Sequence, residues 1–71
     1  MPALSIRLIR TPIVWLADFS YYQPLSDRMR AVGLPAIVPL PWTGDASEDV
    51  VIADVRDRYP LASLTIERRN P

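Results

Sequence analysis

The chain has 71 residues, no Cys and no His, and its eight Arg are balanced by eight acidic residues. A core of this size contributes roughly 3–5 kcal/mol, so such a small domain usually needs a disulfide, a metal or a partner chain. The composition excludes disulfides and thiolate sites, and it lacks the commonest metal ligand and general base. We expect one domain, residues 1–71, with no metal or cofactor and with association as its remaining source of stability.

The first two predicted elements are strands. Residues 4–10 (LSIRLIR) alternate between apolar and polar, which is typical of a half-buried strand. Residues 13–22 (IVWLADFSYY) are ambiguous, because Thr11 and Pro12 are also suited to begin a short helix. The β-branched and aromatic content favours a strand near 13–19, paired with the first.

Two helices follow. The first is predicted near 26–32, with Ser26 as its N-cap and Gly33 just after its last turn. The second is predicted near 47–58, with Ser47 as its N-cap, acidic residues in the first turn and Arg in the last. These charges complement the helix dipole at both ends.

The remaining elements decide the fold class. The β-branched run at 50–56 is also compatible with a strand, so its state stays open. Residues 61–69 (LASLTIERR) alternate again and predict a strand near 61–68. The order β, β, short α, extended, α, β predicts an α+β domain with a small, mostly antiparallel sheet and both helices on one face.

A proline-rich segment, VPLPW at 38–42, lies between the helices. Its prolines favour an extended backbone. It is either a connector across one end of the sheet, or a rigid arm that docks on a neighbour at low entropic cost. Tyr and Trp are frequent interface anchors, and adjacent tyrosines on a strand would point to opposite faces. The predicted protein-contact residues are Tyr21, Tyr22, Pro39, Pro41 and Trp42.

The acidic stretch after this segment has the oxygen spacing of a calcium loop at Asp45, Ser47 and Asp49. The calcium pattern then requires Gly and a bidentate Glu, where this chain has Val50 and Arg56. A turn followed by a capped helix accounts for the same residues. We therefore predict no metal site here.

The arginines support an alternative function. The absence of Lys is compatible with an interface rich in Arg, but the codon usage of a GC-rich genome explains it more readily. Arg7 and Arg10 lie on the first predicted strand, and Arg68 and Arg69 end the last one. If these strands are neighbours, the four side chains form one basic patch, suited to a small regulatory nucleic-acid-binding domain. The zero net charge makes nucleic acid the less favoured partner.

Catalytic and membrane signals are weak. The sequence contains no GxSxG, no Gly-rich phosphate loop and no HExxH, so we do not expect an enzyme. The apolar run at 13–17 is too short for a membrane span, and Asp18 ends it. We expect a cytoplasmic protein without membrane contact, or a virion protein if the source is viral.

One short stretch resembles a known pattern. VPLPWTGDAS is similar to the V-P-x-G-F-x-T-D-x-A-S stretch of a family of bacteriophage proteins of unknown function, with matches at Val38, Pro39, Asp45, Ala46 and Ser47. The spacing here is one residue shorter, the Gly is absent, and nothing after Ser47 fits. The resemblance covers about ten residues and implies no activity.

The composition and the predicted contact residues together favour a function in protein–protein binding over a catalytic function. We expect a non-enzymatic small structural or accessory subunit that acts through protein–protein contacts, in a homo-oligomer or on a larger assembly. A virion component is one example of such a subunit.

Overall fold

The computed structural model describes residues 3–69. The elements in chain order are β1 Ser5–Arg10, β2 Val14–Asp18, α1 Gln23–Ala31, β3 Ile37–Thr43, α2 Glu48–Arg58 and β4 Ser63–Arg68. The α+β class is confirmed, as are the predicted strands and the second predicted helix, and residues 50–56, whose state the sequence leaves open, are helical. Residues 13–22 form a strand only as far as Asp18.

The sheet has four strands in the order β3-β2-β1-β4. β1 pairs antiparallel with β2, and β2 pairs antiparallel with β3. β4 pairs parallel with β1, so the sheet is mixed rather than wholly antiparallel. The antiparallel pairings still outnumber the parallel one. β3 and β4 are the two edges of the sheet.

β3 is the element that the sequence does not predict. The prolines at 39 and 41 indicate only an extended path, whereas Ile37–Thr43 is hydrogen-bonded to β2. Proline lacks the N–H that a central strand needs, but an edge strand tolerates it. The register is also irregular, because Leu16 faces Pro39 while Val14 faces Thr43.

The helix starts differ in how they are capped. α1 begins at Gln23, three residues before the predicted start, with Pro24 in its first turn and no side-chain cap. Ser26 is buried within the helix and is therefore not the N-cap. The prediction for α2 is confirmed, since the Ser47 side chain accepts a hydrogen bond from the Val50 amide. Gly33 follows α1 with φ of +76°, the left-handed conformation that favours glycine.

Both helices pack on one face of the sheet. Buried residues of β1, β2, α1 and α2 form this core: Ile6, Leu8, Trp15, Ala17, Phe19, Met29, Val51 and Val55. The Trp15 indole N–H donates to the Ala46 carbonyl at 3.1 Å, which ties the start of α2 to β2. Side chains that alternate with the core residues point to the opposite face, where no helix of the described chain packs.

Candidate protein-contact surfaces

The five predicted contact residues do not form one surface. Tyr21 lies in the turn after β2 and is 64% exposed. Pro39 and Pro41 are exposed on β3. Tyr22 and Trp42 are half-buried and pack against the core. The structure therefore leaves Tyr21 and the two prolines available to a partner, at separate places on the fold.

Tyr22 and Trp42 have contacts within the chain that account for them. The Trp42 indole N–H donates to the Asp54 carboxylate at 3.0 Å, which joins β3 to α2. The Tyr22 ring packs edge-on against Phe19 and Tyr59, with centroids 6.3 and 5.4 Å away. Edge-on aromatic pairs of this kind stabilise a core beyond the area that they bury.

A shallow groove runs between β3 and the end of α2. Pro39, Leu40 and Pro41 line it on one side, and Val55 and Tyr59 line it on the other. Its volume is about 160 Å³. This is below the ~300 Å³ of typical small-molecule sites, although an apolar side chain of a partner fits such a space.

The face of the sheet without a helix carries a chain of ion pairs. The Arg7 guanidinium lies at its centre, 2.7 Å from the Asp18 carboxylate and 3.5 Å from that of Glu67. Arg69 extends this series of ion pairs, because its guanidinium lies 2.6 Å from the Glu67 carboxylate. The network connects β2, β1 and β4 across the face. It neutralises Arg7, which the sequence places in the basic patch.

Asp18 is the buried member of this network. Burial acts to raise its pKa, but hydrogen bonds from the Ser20 hydroxyl and amide, together with Arg7, outweigh it and hold the pKa below its ordinary 3.8. The Ser20 contacts are 2.6 and 2.9 Å long. Asp18 is therefore ionised at neutral pH and acts as a fixed acceptor. The local sequence Asp18-Phe19-Ser20 carried the available signal, because an Asp side chain often accepts from the amide two residues further along the chain.

The two edge strands of the sheet differ in how well they are protected against pairing with a strand of another chain. On β3, two prolines remove main-chain donors, and the irregular register disrupts the strand. β4 has six residues, no proline and a continuous register with β1. Exposed edge strands usually carry a device that prevents pairing with another chain. β4 has no proline or bulge of this kind.

The predicted arginine patch is only partly formed. β1 and β4 are neighbours, and Arg10 lies directly opposite Arg68 in their register. Arg10, Arg68 and Arg69 line one cleft of about 310 Å³ at this end of the sheet. Arg7 does not line the cleft. Arg68 is also paired with Glu48, whose carboxylate accepts from its Nε at 3.0 Å.

Several exposed apolar side chains were not anticipated as surface features, and Ile13 and Leu61 are the most exposed of them. Ile13 is 81% exposed between β1 and β2, and Leu61 is 79% exposed just before β4. Each follows a proline at a chain reversal, in Pro12-Ile13 and Pro60-Leu61. Because proline is frequent in turns, a residue that directly follows one at the end of an element often lies in the turn itself. The Pro-Ile and Pro-Leu pairs could therefore have indicated that these side chains are exposed.

Comparison with known proteins gives no relative from which a function can be transferred. No family model matches the chain. No curated protein and no solved structure matches it significantly either. Within residues 3–69, none of the helices has the length and apolar character required to cross a bilayer.

Proposed function

We propose that the protein is a non-enzymatic small structural or accessory subunit that acts through protein–protein contacts. The observation that carries the proposal is the β4 edge, which within residues 3–69 has no proline, bulge or covering strand, in a sheet whose other edge carries two prolines. Its first partner is a second copy of the chain, which would supply the association that a domain of this size lacks. A larger assembly, such as a virion, is the wider setting in which this subunit would act.

The backbone of β4 presents one row of hydrogen-bonding groups that have no partner within residues 3–69. The Ser63 and Arg69 amides donate to the Leu4 and Arg10 carbonyls of the neighbouring chain segment, each at 2.8 Å. Alternate residues of a strand point their N–H and C=O groups in opposite directions within the sheet. The odd-numbered residues therefore face β1, while Leu64, Ile66 and Arg68 present their main-chain groups outward.

The sequence of β4 is compatible with antiparallel pairing to itself. In a register centred on Ile66, Glu67 lies opposite Thr65 of the second copy, and Arg68 lies opposite Leu64. No like charges are then directly opposed, which matters because such pairs destabilise a sheet. A register centred on Glu67 would oppose two carboxylates. The central register supplies about six main-chain hydrogen bonds.

Exposed apolar residues lie at or near this edge. Ile66 is partly exposed on β4, and Leu61 projects just before the strand. Their burial would add hydrophobic stabilisation to the backbone pairing. Tyr21, Pro39 and Pro41 lie elsewhere on the fold, where they remain candidates for contact with further partners in an assembly.

The alternative, a nucleic-acid-binding domain, has less support. The net charge is zero, and Arg7, Arg68 and Arg69 each have a carboxylate partner. Affinity for an extended phosphate backbone comes from arginines that are available to neutralise several phosphates at once. Few of these arginines are available to neutralise phosphates, because carboxylates already pair with three of them.

The test is the solution mass of the chain and of two variants at the same position. Ile66→Pro removes an outward-facing N–H and leaves the inward ladder to β1 intact, while Ile66→Ala removes the side chain and keeps the N–H. Size-exclusion chromatography with light scattering should give twice the 8.0 kDa of one chain for the wild type at high concentration. The Ile66→Ala variant should still form this dimer, and the Ile66→Pro variant should not.

Two results would contradict the proposal. One is a wild-type chain that stays at the monomer mass at every concentration. The other is an Ile66→Pro variant that keeps its far-ultraviolet circular dichroism and dimerises as well as Ile66→Ala. If Ile66→Pro fails to fold, Ile66→Lys retains the N–H but places a charge on the edge, and it should weaken the dimer in the same assay.

A further inference from the structure

We infer that the cleft lined by Arg10, Arg68 and Arg69 binds a single phosphate group on a small molecule. This site shares Arg68 with the β4 edge, but it uses the Arg68 side chain, whereas the proposed pairing of β4 uses the main chain. The cleft lies where β1 and β4 end side by side, and Thr11, Pro12 and Gly44 complete its lining. Half of its lining residues are arginines and none is acidic.

Arg10 is held in place without a carboxylate. Its Nε donates to the Gly44 carbonyl at 2.8 Å, and its guanidinium lies 5.5 Å from the centre of the Trp15 ring. Within residues 3–69, Arg10 forms no salt bridge. A cation that is fixed by neutral groups loses little freedom when it binds an anion. The carboxylate of the exposed Asp45 interacts with Arg10 through space, but it forms no salt bridge with it.

The pairing of Arg10 with Arg68 is repulsive and is only partly compensated, by the salt bridge between Arg68 and Glu48. The two residues are direct partners in the parallel register, and their side chains leave the sheet on the same face. Like charges that face each other across strands reduce stability. Glu48 compensates Arg68 and Glu67 compensates Arg69, but neither carboxylate lines the cleft. An anion within the cleft would relieve the remaining repulsion.

The chemistry and size of the cleft select the ligand class. Guanidinium groups match phosphate geometry, because their planar N–H donors contact two oxygens at once. A volume of about 310 Å³ is near the lower limit of small-molecule sites, ~300 Å³. A nucleic-acid backbone laid over the cleft would also approach Glu48 and Glu67, which repel it. A single phosphate held against Arg10 meets less of this repulsion, because the two carboxylates are bonded to Arg68 and Arg69.

The test is a titration of the labelled full chain with inorganic phosphate, followed by two-dimensional NMR. Sodium chloride at matched ionic strength is the reference. We expect saturable shifts of the Arg10 Nε–H signal and of the Gly44 and Arg69 amides with phosphate, and no saturable shifts with chloride. Arg69→Gln should weaken phosphate binding about fivefold, because it removes one partly exposed cation from the cleft.

Arg56→Gln is the matched control. Arg56 is exposed on α2, outside the cleft, and its substitution changes the net charge by the same amount. It should leave phosphate affinity unchanged. Arg10→Gln should abolish the saturable shifts, but Arg10 also covers Trp15, so Arg69→Gln remains the variant that preserves the fold.

Three results would overturn the inference. Chloride shifts that match the phosphate shifts would show simple screening. Equal weakening by Arg56→Gln and Arg69→Gln would show attraction to net charge rather than binding in the cleft. A short DNA duplex that shifts the same signals more strongly, with an affinity that falls steeply with salt, would assign these arginines to nucleic acid instead.

Discussion

The network of ion pairs around Arg7, on the face of the sheet that no helix covers, gives the most detailed prediction about stability. Asp18→Asn preserves the shape of the side chain and can preserve both hydrogen bonds from Ser20. It replaces the carboxylate oxygen that contacts Arg7 with an amide donor or with a neutral oxygen. Arg7 then depends on Glu67, which is 3.5 Å away.

The size of the effect follows from the burial of the two partners. Removal of one member of a buried ion pair costs about 3–5 kcal/mol, whereas exposed pairs contribute up to about 1 kcal/mol. The Asp18 side chain is 4% exposed and that of Arg7 is 36% exposed. Arg7 Nε is also buried without a hydrogen-bond partner in the described residues, so the guanidinium has little compensation. We expect a loss of about 2 kcal/mol in the free energy of unfolding, between these two limits.

Urea unfolding followed by tryptophan fluorescence measures this loss, at one protein concentration because association also stabilises the fold. Glu67→Gln is the control, since Glu67 is 37% exposed and its substitution should cost less than about 1 kcal/mol. The pKa of Asp18 is lowered on folding, so its stabilisation is present above its ordinary pKa of 3.8 and disappears as the pH falls through the folded value. The difference between wild type and Asp18→Asn should therefore be constant from pH 5 to 8 and shrink below about pH 4.

The reasoning would be refuted by an Asp18→Asn variant within about 0.5 kcal/mol of wild type at pH 7, the range of ordinary surface substitutions. A stability difference that does not shrink in acid would also contradict it, since the charge of Asp18 would then not be the cause.

Gly44→Ala and Trp42→Phe test the packing of β3 and of the turn that follows it, and Gly33→Ala after α1 is the reference for Gly44→Ala. Gly44→Ala should cost about 2–3 kcal/mol or more in urea unfolding, because a Cβ would lie 2.6 Å from the Pro12 carbonyl carbon and oxygen. At Gly33 a Cβ would meet open space, and only the φ of +76° is unfavourable for Ala, so Gly33→Ala should lower the free energy of unfolding by about 1 kcal/mol. An equal loss for Gly33→Ala and Gly44→Ala would show that the close approach at Gly44 is unimportant. Trp42→Phe removes the indole hydrogen bond to the Asp54 carboxylate and should cost about 1–2 kcal/mol in the same assay. A cost near zero would mean that this bond does not hold β3 to α2.

The sequence predicts those elements whose signals are local. The alternation in residues 4–10 and 61–69 gives β1 and β4 with the correct inward faces, because a strand has a period of two residues. Ser47 and the acidic residues after it give the start of α2, since capping acts within one turn. The predicted start of α1 is wrong, because this helix begins at Gln23, with Pro24 in its first turn and no capping side chain.

The features that the sequence does not predict depend on contacts between distant segments. β3 can be a strand despite its prolines because it lies at an edge of the sheet. Whether a strand lies at an edge depends on how the whole sheet is assembled, and not on the local sequence. Arg7 is neutralised because the register brings Asp18 and Glu67 to it from β2 and β4. The same register brings Arg10 and Arg68 together, which the sequence predicts only on the condition that β1 and β4 are neighbours.

The central claim is that the outer edge of β4 pairs with a second copy, and amide hydrogen exchange at this edge tests it most directly. The outward amides of Leu64, Ile66 and Arg68 should become protected as the protein concentration rises, while Ser63 and Arg69, whose amides donate inward, should be protected throughout. Fast exchange of the three outward amides at every concentration, beside protected inward amides, would show a folded chain with an empty edge and would contradict the account.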